Sequence, residues 1–469
     1  MNKAKLTDLL STIFDEKSYS TDEAVLFAYS MDVSIHEYVP DAVVLPENRD
    51  QVVQLVKLAH TYNIPLIPRG SGTGASGGAI AVHGGIIVDF TKMNKILNLD
   101  IENLQVTVES GVIHADLNKY LEQFGFFFPV IPGSSDMCSI GGMVGNSASG
   151  LRAVKYGTTK DYVLDLEVVL PDGKIGNLGS SVQKTASGYD LIRLFVGSEG
   201  TLGIITKITL KILPIPEARG VVSGFFNDVE QIGKAVVNIF TAKIIPAAIE
   251  LLDKSAIQAI NLYKPTMNLP DAEAMLLVEL DGTKESVISI TKKVYHILKE
   301  NGAFQTEMTT KDEERQKLWN ARKLVGAAAR RVRDGYARVY EGEDITVPLS
   351  KIAKTLLKLR ELSQEFNLPI VVFGHIGDGN LHPAILIQKN NPEHWEKLNQ
   401  LSEKIHEFAI EIGGTVTGEH GIGLTRAKYL QKERPIVLEL MRKIKKAIDP
   451  KNIMNPGKMD LDGGYNSNE

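Results

Sequence analysis

The sequence predicts a mixed fold of helices and strands in two or three domains, on three observations. The chain has 469 residues and is 43% hydrophobic, enough for several sizeable cores. Short strand patterns alternate with helical patterns and glycine-rich loops through its first half. A glycine-punctuated strand pair stands near its C-terminal end. The net charge of −5 is spread along the chain, with no basic block or stripe that would suggest nucleic acid. The single cysteine, Cys138, excludes a disulfide framework and any iron–sulfur cluster ligated by this chain alone. There is no signal-peptide apolar run and nowhere do eighteen apolar residues run together, so a cytoplasmic protein without an integral membrane segment is expected.

Met1 to Leu6 opens a polar amphipathic helix, and Ala42–Leu45 reads as a strand. Asn48-Arg49-Asp50 then caps a helix over 51–62, whose apolar residues Val52, Val53, Leu55, Val56 and Leu58 lie on one side. A strand over 64–68 enters the loop Arg69-Gly70-Ser71-Gly72-Thr73-Gly74-Ala75-Ser76-Gly77-Gly78. Gly72, Gly74 and Gly77 satisfy G-x-G-x-x-G, yet the next element, Gly85 to Phe90, is strand-like where a dinucleotide-binding motif requires a helix. The loop reads instead as an anion cradle of bare backbone N–H groups, with Arg69 adding charge. Two further small-residue tracts come later, Pro132-Gly133-Ser134 leading into 140–150, and 196–206. Three such tracts imply backbone packed against something flat or long, the alternative being close helix–sheet packing.

Near the C-terminal end, His375-Ile376-Gly377-Asp378-Gly379-Asn380-Leu381-His382 lies between apolar runs that read as strands over 369–373 and 383–387. Asp378-Gly379 predicts a two-residue hairpin turn, because both central positions need φ > 0. His375 then faces His382, with Cβ atoms roughly 4.5–5.5 Å apart, close enough to share a metal ion. The alternative is a pair of hairpin-stabilising histidines. Thr417-Gly418-Glu419-His420-Gly421 adds a carboxylate as third ligand, leaving open positions suited to a catalytic ion such as Zn, Mn or Fe. His420 is assigned as general base, histidine being the residue type whose ordinary pKa lies nearest working pH. Alone, these residues suit a hydrolase as well as an oxidoreductase.

Taken in order, Pro68-Arg69-Gly70-Ser71-Gly72-Thr73-Gly74, Lys155-Tyr156-Gly157, Gly197-Ser198-Glu199-Gly200-Thr201-Leu202-Gly203, the His375/His382 hairpin, Gly418-Glu419-His420-Gly421-Ile422-Gly423 and Asn455-Pro456-Gly457-Lys458 give the resemblance. The chain resembles the FAD-linked oxidoreductases of the vanillyl-alcohol oxidase / p-cresol methylhydroxylase type. Within them it is most similar to the D-2-hydroxyacid dehydrogenase branch, which includes D-lactate dehydrogenase, the glycolate oxidase FAD subunit and D-2-hydroxyglutarate dehydrogenase.

The resemblance implies an α+β fold. A two-subdomain FAD-binding domain of the p-cresol methylhydroxylase type would occupy 1–215, a cap domain with an antiparallel sheet 216–425, and a C-terminal helix and turn 426–469 would return to the FAD domain. Pro214-Ile215-Pro216, which breaks the chain after a strand over 204–212, is consistent with the first boundary. The resemblance places FAD on Arg69, Gly70, Ser71, Gly72, Thr73 and Gly74; on Pro132, Gly133, Ser134, Ile140, Gly141, Gly142, Asn146, Ala148 and Gly150; and on Gly200, Ile204, Ile205 and Asn455. Thr73 and Gly74 stand where covalently flavinylated relatives carry a histidine, so non-covalent FAD is expected.

The implied reaction is oxidation of a 2-hydroxyacid, with hydride to flavin N5 and the hydroxyl proton to His420. The ion on His375, His382 and Glu419 and the guanidinium of Arg322 would clamp the substrate. Tyr156 is a further candidate at the mouth of the site. Val325 to Ala329 is bland and Gly342-Glu343-Asp344 is acidic where dicarboxylate-binding relatives carry polar or basic groups, which favours D-lactate or glycolate over 2-hydroxyglutarate. A second reading is an FAD-dependent transferase of the alkyl-dihydroxyacetonephosphate synthase kind, and a third is a non-catalytic flavin-binding subunit of a larger complex, against which the retention of His375, His382, Glu419 and His420 argues. Electrons would leave to a separate acceptor, an electron-transfer flavoprotein or iron–sulfur subunit, with a quinone or oxygen as alternatives, and a homodimer is an assembly the sequence allows.

Overall fold

In the computed structural model, residues 2–463 are described. The chain divides into two units, one of residues 1–149, 158–215 and 419–469, the other of residues 150–157 and 216–418. Among the described residues no helix is long and apolar enough to cross a membrane.

In the first unit the N-terminal helix runs Lys3–Ser11. The helix after Asn48 runs Arg49–Tyr62; the Asn48 side chain accepts from Gln51 N at 3.0 Å and Asn63, at φ 53°, ends it. It buries Val52, Leu55, Val56 and Ala59. The strands Ala42–Val44, Ile86–Asp89 and Leu66–Arg69 run parallel, with Tyr19–Ser20 antiparallel at one edge. No helix separates Leu66–Arg69 from Ile86–Asp89, so the glycine loop is not the opening of a Rossmann unit. The other edge is extended from far along the chain: Leu66 N donates to Ile453 O at 2.7 Å and Asn455 N to Leu66 O at 2.8 Å. A second, antiparallel sheet orders Ile96–Asp100, Gln105–Glu109, Ile204–Lys211, Val163–Val169 and Ile175–Asn177.

The second unit is built on an eight-stranded sheet. Its path is Phe304–Thr309, Ala218–Phe226, Ala274–Gly282, Ala248–Asp253, Ile370–His375, Asn380–Ile387 and Ala337–Val339, with Ile345–Thr346 also paired to Asn380–Ile387. Period-two alternation gives the sheet two different faces. One face, with Val222, Ile249, Leu251, Leu276, Val278 and Val372, is apolar throughout and packs against core residues of the helices Val229–Thr241, Ile352–Phe366 and Pro392–Glu411. The other is apolar at one end, where Phe225, Leu252, Met275 and Phe373 meet the helices Lys254–Tyr263 and Asp312–Ala329. Its opposite end carries Glu250, Glu279, Asp281, His375, Asn380 and His382, all buried. Burying that many polar groups is tolerable only if each finds a partner.

Asp253 lies at the apolar end. Its Oδ1 accepts from Ser255 Oγ, Ala256 N and Val372 N, capping the Lys254–Tyr263 helix and tying it to the sheet. Burial pushes its carboxyl up to about 6. With the folded-state value above the ordinary 3.8, the folded protein holds the extra proton between these values, so this group's contribution to stability falls as pH rises from about 4 to about 6. Because all three bonds fall on Oδ1, Asp253→Asn keeps them and replaces only the other oxygen. The variant is expected to be at least as stable as wild type at pH 7 and to lose stability relative to it below pH about 4, read by denaturant unfolding across pH.

Candidate active site

The hairpin is wider than the two-residue turn expected from Asp378-Gly379. His375 pairs with Asn380 and Phe373 with His382, so the connection is the four residues 376–379. Only Gly379, at φ 83°, takes a left-handed conformation, whereas a two-residue type I′ turn needs two such residues. Gly377 is held instead by the neighbouring strand, its N–H donating to Ile249 O at 3.3 Å. His375 and His382 are therefore diagonal neighbours on one face rather than directly opposed. Their ring centroids lie 5.2 Å apart, edge to face, and ligand nitrogens of the two come within 4.8 Å.

His375 is oriented by Glu250, which lies directly opposite it in the adjacent strand. Glu250 Oε1 lies 2.6 Å from His375 Nδ1, and its Oε2 accepts from Arg322 Nε at 2.5 Å. Burial pushes the Glu250 carboxyl up, but the charges of His375 and Arg322 and their hydrogen bonds outweigh it and hold it below the usual range. A carboxylate on Nδ1 fixes the His375 ring and directs Nε2 outward, the arrangement typical behind a metal-bound histidine. The donor set of this unit thus fits a divalent ion.

Arg322 is no solvated helix charge: its side chain is 19% exposed, and among the described residues its Nη1 and Nη2 have no hydrogen-bond partner. Its guanidinium lies 5.2 Å from the Phe373 ring centroid, as does that of Arg338. Arg338, however, forks both arms onto Glu343. Tyr156 is tied to Asp281, its OH donating to Oδ2 at 2.6 Å beside Lys155, while Arg152 pairs with Glu279 at 2.7 Å. Residues 150–157, Gly150 among them, thus satisfy the buried acids Glu279 and Asp281 of the polar end of the sheet.

The chain leaves this unit beside the hairpin. Asp344, fully buried, accepts from Asn380 Nδ2 at 2.7 Å, Thr417 Oγ1 at 2.6 Å and Gly418 N at 3.0 Å. A Cβ on Gly418 would stand 2.4 Å from both Asn380 Nδ2 and Thr346 Oγ1, so only glycine passes here. The next residue is Glu419.

In the first unit the three glycine tracts converge. A Cβ on Gly70 would meet Ser139 Oγ at 2.1 Å, Gly197 N donates to Val144 O and Glu199 N to Gly145 O, both at 2.9 Å, and Gly200 lies against Pro68. Asn455 ties the C-terminal return to two tracts, its amide donating to Gly78 O at 2.9 Å and Glu199 O at 2.6 Å. Arg69 shapes its own loop, its guanidinium donating to Ala79 O and Met31 O, and it closes the space beside Gly72. Ile140, Gly141, Gly142 and Asn146 lie on the short helix Ile140–Asn146, Ala148 accepts from Thr159, and Ile204 and Ile205 begin the strand Ile204–Lys211.

Elsewhere these tracts leave room. A Cβ on Gly133 or Gly145 would meet nothing within 4 Å, one on Gly74 only Asn146 Nδ2, and Ser71 Oγ is buried without a hydrogen-bond partner among the described residues. Bare backbone beside an orphaned hydroxyl fits a bound phosphate-bearing cofactor.

Glu250, Asn380 and Arg338 were not singled out from the sequence, and Asp344 stood out only as an acidic residue. A signal existed for Glu250: a lone carboxylate inside Ala248-Ile249-Glu250-Leu251-Leu252, a run otherwise apolar enough to be a buried strand.

Residues 215–459 match the family "FAD linked oxidases, C-terminal domain", and residues 40–179 match "FAD binding domain". The chain is 38% identical over 445 residues to glycolate oxidase subunit GlcD of Bacillus subtilis, covering 94% of each protein. It is 37% identical over 454 residues to a probable mitochondrial D-lactate dehydrogenase of Danio rerio, covering 96% of this chain and 90% of that one. Its fold is that of p-cresol methylhydroxylase, with a TM-score of 0.80 at 19% identity over 98% of this chain and 97% of the other. With both parts of the chain matched and relatives this similar along nearly their whole length, the protein belongs to the FAD-linked oxidase family.

Proposed function

We propose that the protein is an FAD-dependent dehydrogenase that oxidises a small D-2-hydroxyacid, D-lactate or glycolate, to the 2-oxoacid. The observation that carries this reading is the Glu250 carboxylate, which orients a histidine and an arginine on one sheet face in a family that binds FAD. Glycolate oxidase subunits and D-lactate dehydrogenases among its relatives support the substrate class. FAD, held on the glycine tracts, supplies the hydride acceptor, and a divalent ion (Zn, Mn or Fe) supplies Lewis acidity at the substrate oxygens.

His375, His382 and Glu419 are assigned to the ion. Glu419 comes directly after Gly418, which Asp344 and the close approach of Asn380 hold beside the hairpin. Arg322, with Nε committed to Glu250, offers its two Nη groups to the substrate carboxylate, a planar fork that suits a planar anion. His420 takes the hydroxyl proton. Arg338 is occupied by Glu343, so the second arginine at the Phe373 ring is not offered to a second carboxylate, which favours a monocarboxylate over 2-hydroxyglutarate. Electrons pass to a separate acceptor, an electron-transfer flavoprotein or an iron–sulfur subunit.

The purified yellow protein is expected to bleach anaerobically with D-lactate or glycolate and not with L-lactate. Chelation should remove bound metal and slow the bleaching; an unchanged rate in metal-free protein would overturn the ligand assignment. His420→Asn should slow flavin reduction by about 10²-fold or more; reduction as fast as wild type would remove His420 as the base.

Glu250→Gln keeps the volume but removes the charge that orients His375. Metal affinity, read by competition with a chromophoric chelator, should fall about 10–100-fold. Equal affinity would show that the carboxylate does not support the ion.

A further inference from the structure

A general base must be held in place as well as chosen, and the structure shows what holds the backbone on which His420 sits. We propose that Ser76, Glu199 and Arg426 form a cradle that fixes the Glu419–Gly423 turn, with Glu199 as the positioning residue for His420. The inference rests on the reading of His420 as the base.

Glu199 spends its carboxylate on this turn, Oε1 accepting from Ile422 N at 2.7 Å and Oε2 from Gly423 N at 2.8 Å. Among the described residues no lysine or arginine lies within ion-pair distance of it, although it is buried and burial pushes its carboxyl up. The charges of Lys458 and Arg426 and the two amide bonds only partly offset that burial, so a carboxylate kept here out of ion-pair contact is an expensive way to hold two amides, unless the position of those amides matters. Its backbone is equally constrained. Glu199 sits at φ 52°, a conformation usual for glycine or asparagine, with its N–H on Gly145 O and its carbonyl under Asn455.

Ser76, in the first glycine loop, holds the same turn from the other side. Its hydroxyl lies 2.8 Å from His420 O and 3.1 Å from Gly421 O, and accepts from Arg426 Nη1 at 2.6 Å. Arg426, fully buried, also donates to Gly421 O at 3.2 Å. Leu424 N donates to Ser76 O at 2.7 Å. Gly421 and Gly423 are needed for this fit: a Cβ on the first would meet Glu199 Oε1 at 2.9 Å, and on the second Ser76 O at 2.0 Å. The backbone from His420 to Leu424 is thus bonded to two of the three glycine tracts, and its freedom to shift is small. An imidazole carried on a shifted turn would still be present but displaced, and displacement by about 1 Å can cost about 10²-fold in rate.

The test uses the full-length, flavin-loaded protein. Glu199→Gln keeps one acceptor and turns an NH₂ group against the other amide; Ser76→Ala removes the hydroxyl alone. For Glu199→Gln the limiting rate of anaerobic flavin reduction by D-lactate, per bound flavin, should fall about 10–100-fold, with substrate Kd and FAD content within about twofold of wild type. The solvent deuterium isotope effect on that step should rise, because O–H cleavage is what the displaced base does poorly. Amide exchange of the 419–426 peptide should quicken. Ser76→Ala should move all of these the same way by a smaller amount, and it decides the matter should Glu199→Gln not fold.

Per-flavin rates within about twofold of wild type and an unchanged solvent isotope effect in both variants would overturn the cradle. Run beside them, His420→Asn separates the two ideas. If it is slow while the cradle variants match wild type, the positioning role alone fails; if it too matches wild type, the base assignment falls and the cradle with it.

Discussion

A carboxylate in the middle of a β-strand and 1% exposed is tolerated only when partners replace the water it has lost, and Glu250 recruits two of them. Removing either His375 or Arg322 would leave part of the charge uncompensated; removing Glu250 would take from the imidazole and the guanidinium the carboxylate they share. The same demand recurs along the polar end of that sheet face, where Arg152 answers Glu279 and Lys155 and Tyr156 answer Asp281. This explains why eight residues from 150 to 157, remote in sequence, belong with residues 216–418. The polar end of the face is an ion-paired layer whose members fix one another's rotamers, and the proposed chemistry uses its outermost groups.

The first unit solves a different problem, that of bringing bare backbone close to a large cofactor without collapsing on itself. Some glycines in its tracts are closed by protein, as at Gly70 against Ser139 and Gly141 against Ser110, while others, Gly133 and Gly145, face open space. Close packing of the first kind supports the opening of the second. The carbonyls and amides that this geometry leaves over are gathered by long polar side chains. Asn455 is one, and Lys445 another: its ammonium reaches Thr201 O, Met454 O and Asp449 from a site that is 4% exposed.

Much of this was legible in the sequence because it depends on local chemistry. The Asn48 cap, the helix it starts, the strand after the glycine loop in place of a helix, and the strands either side of the histidine hairpin all come from residue type and period. The hairpin register did not. Asp378-Gly379 is a good two-residue turn taken alone, but the neighbouring strand binds Gly377 and Val154 packs against it, and these contacts favour a four-residue connection that moves His375 from His382 to Asn380. The roles of Arg338 and Asp344 were invisible for the same reason: what makes them matter is a stacking ring at residue 373 and a glycine amide at residue 418, neither of which spacing reveals. Glu250 is the exception, a buried charge announced by its own apolar neighbours.

The pairing of Leu66 with Ile453 and Asn455 has a consequence for how the protein is made. Residues 216–418 hold their whole sheet, lacking only the short segment 150–157 that was synthesised before them, so they have what they need once residue 418 has left the ribosome. The other unit cannot close its parallel sheet until residues 453–455 emerge, nearly four hundred residues after the strand they complete. During that interval the Leu66 edge is an unpaired strand with apolar neighbours, the kind of surface that invites pairing with another chain. Such a protein is expected to depend on chaperones or slow synthesis in its first half, and to tolerate changes poorly at residues 453–455, which are buried as well as paired.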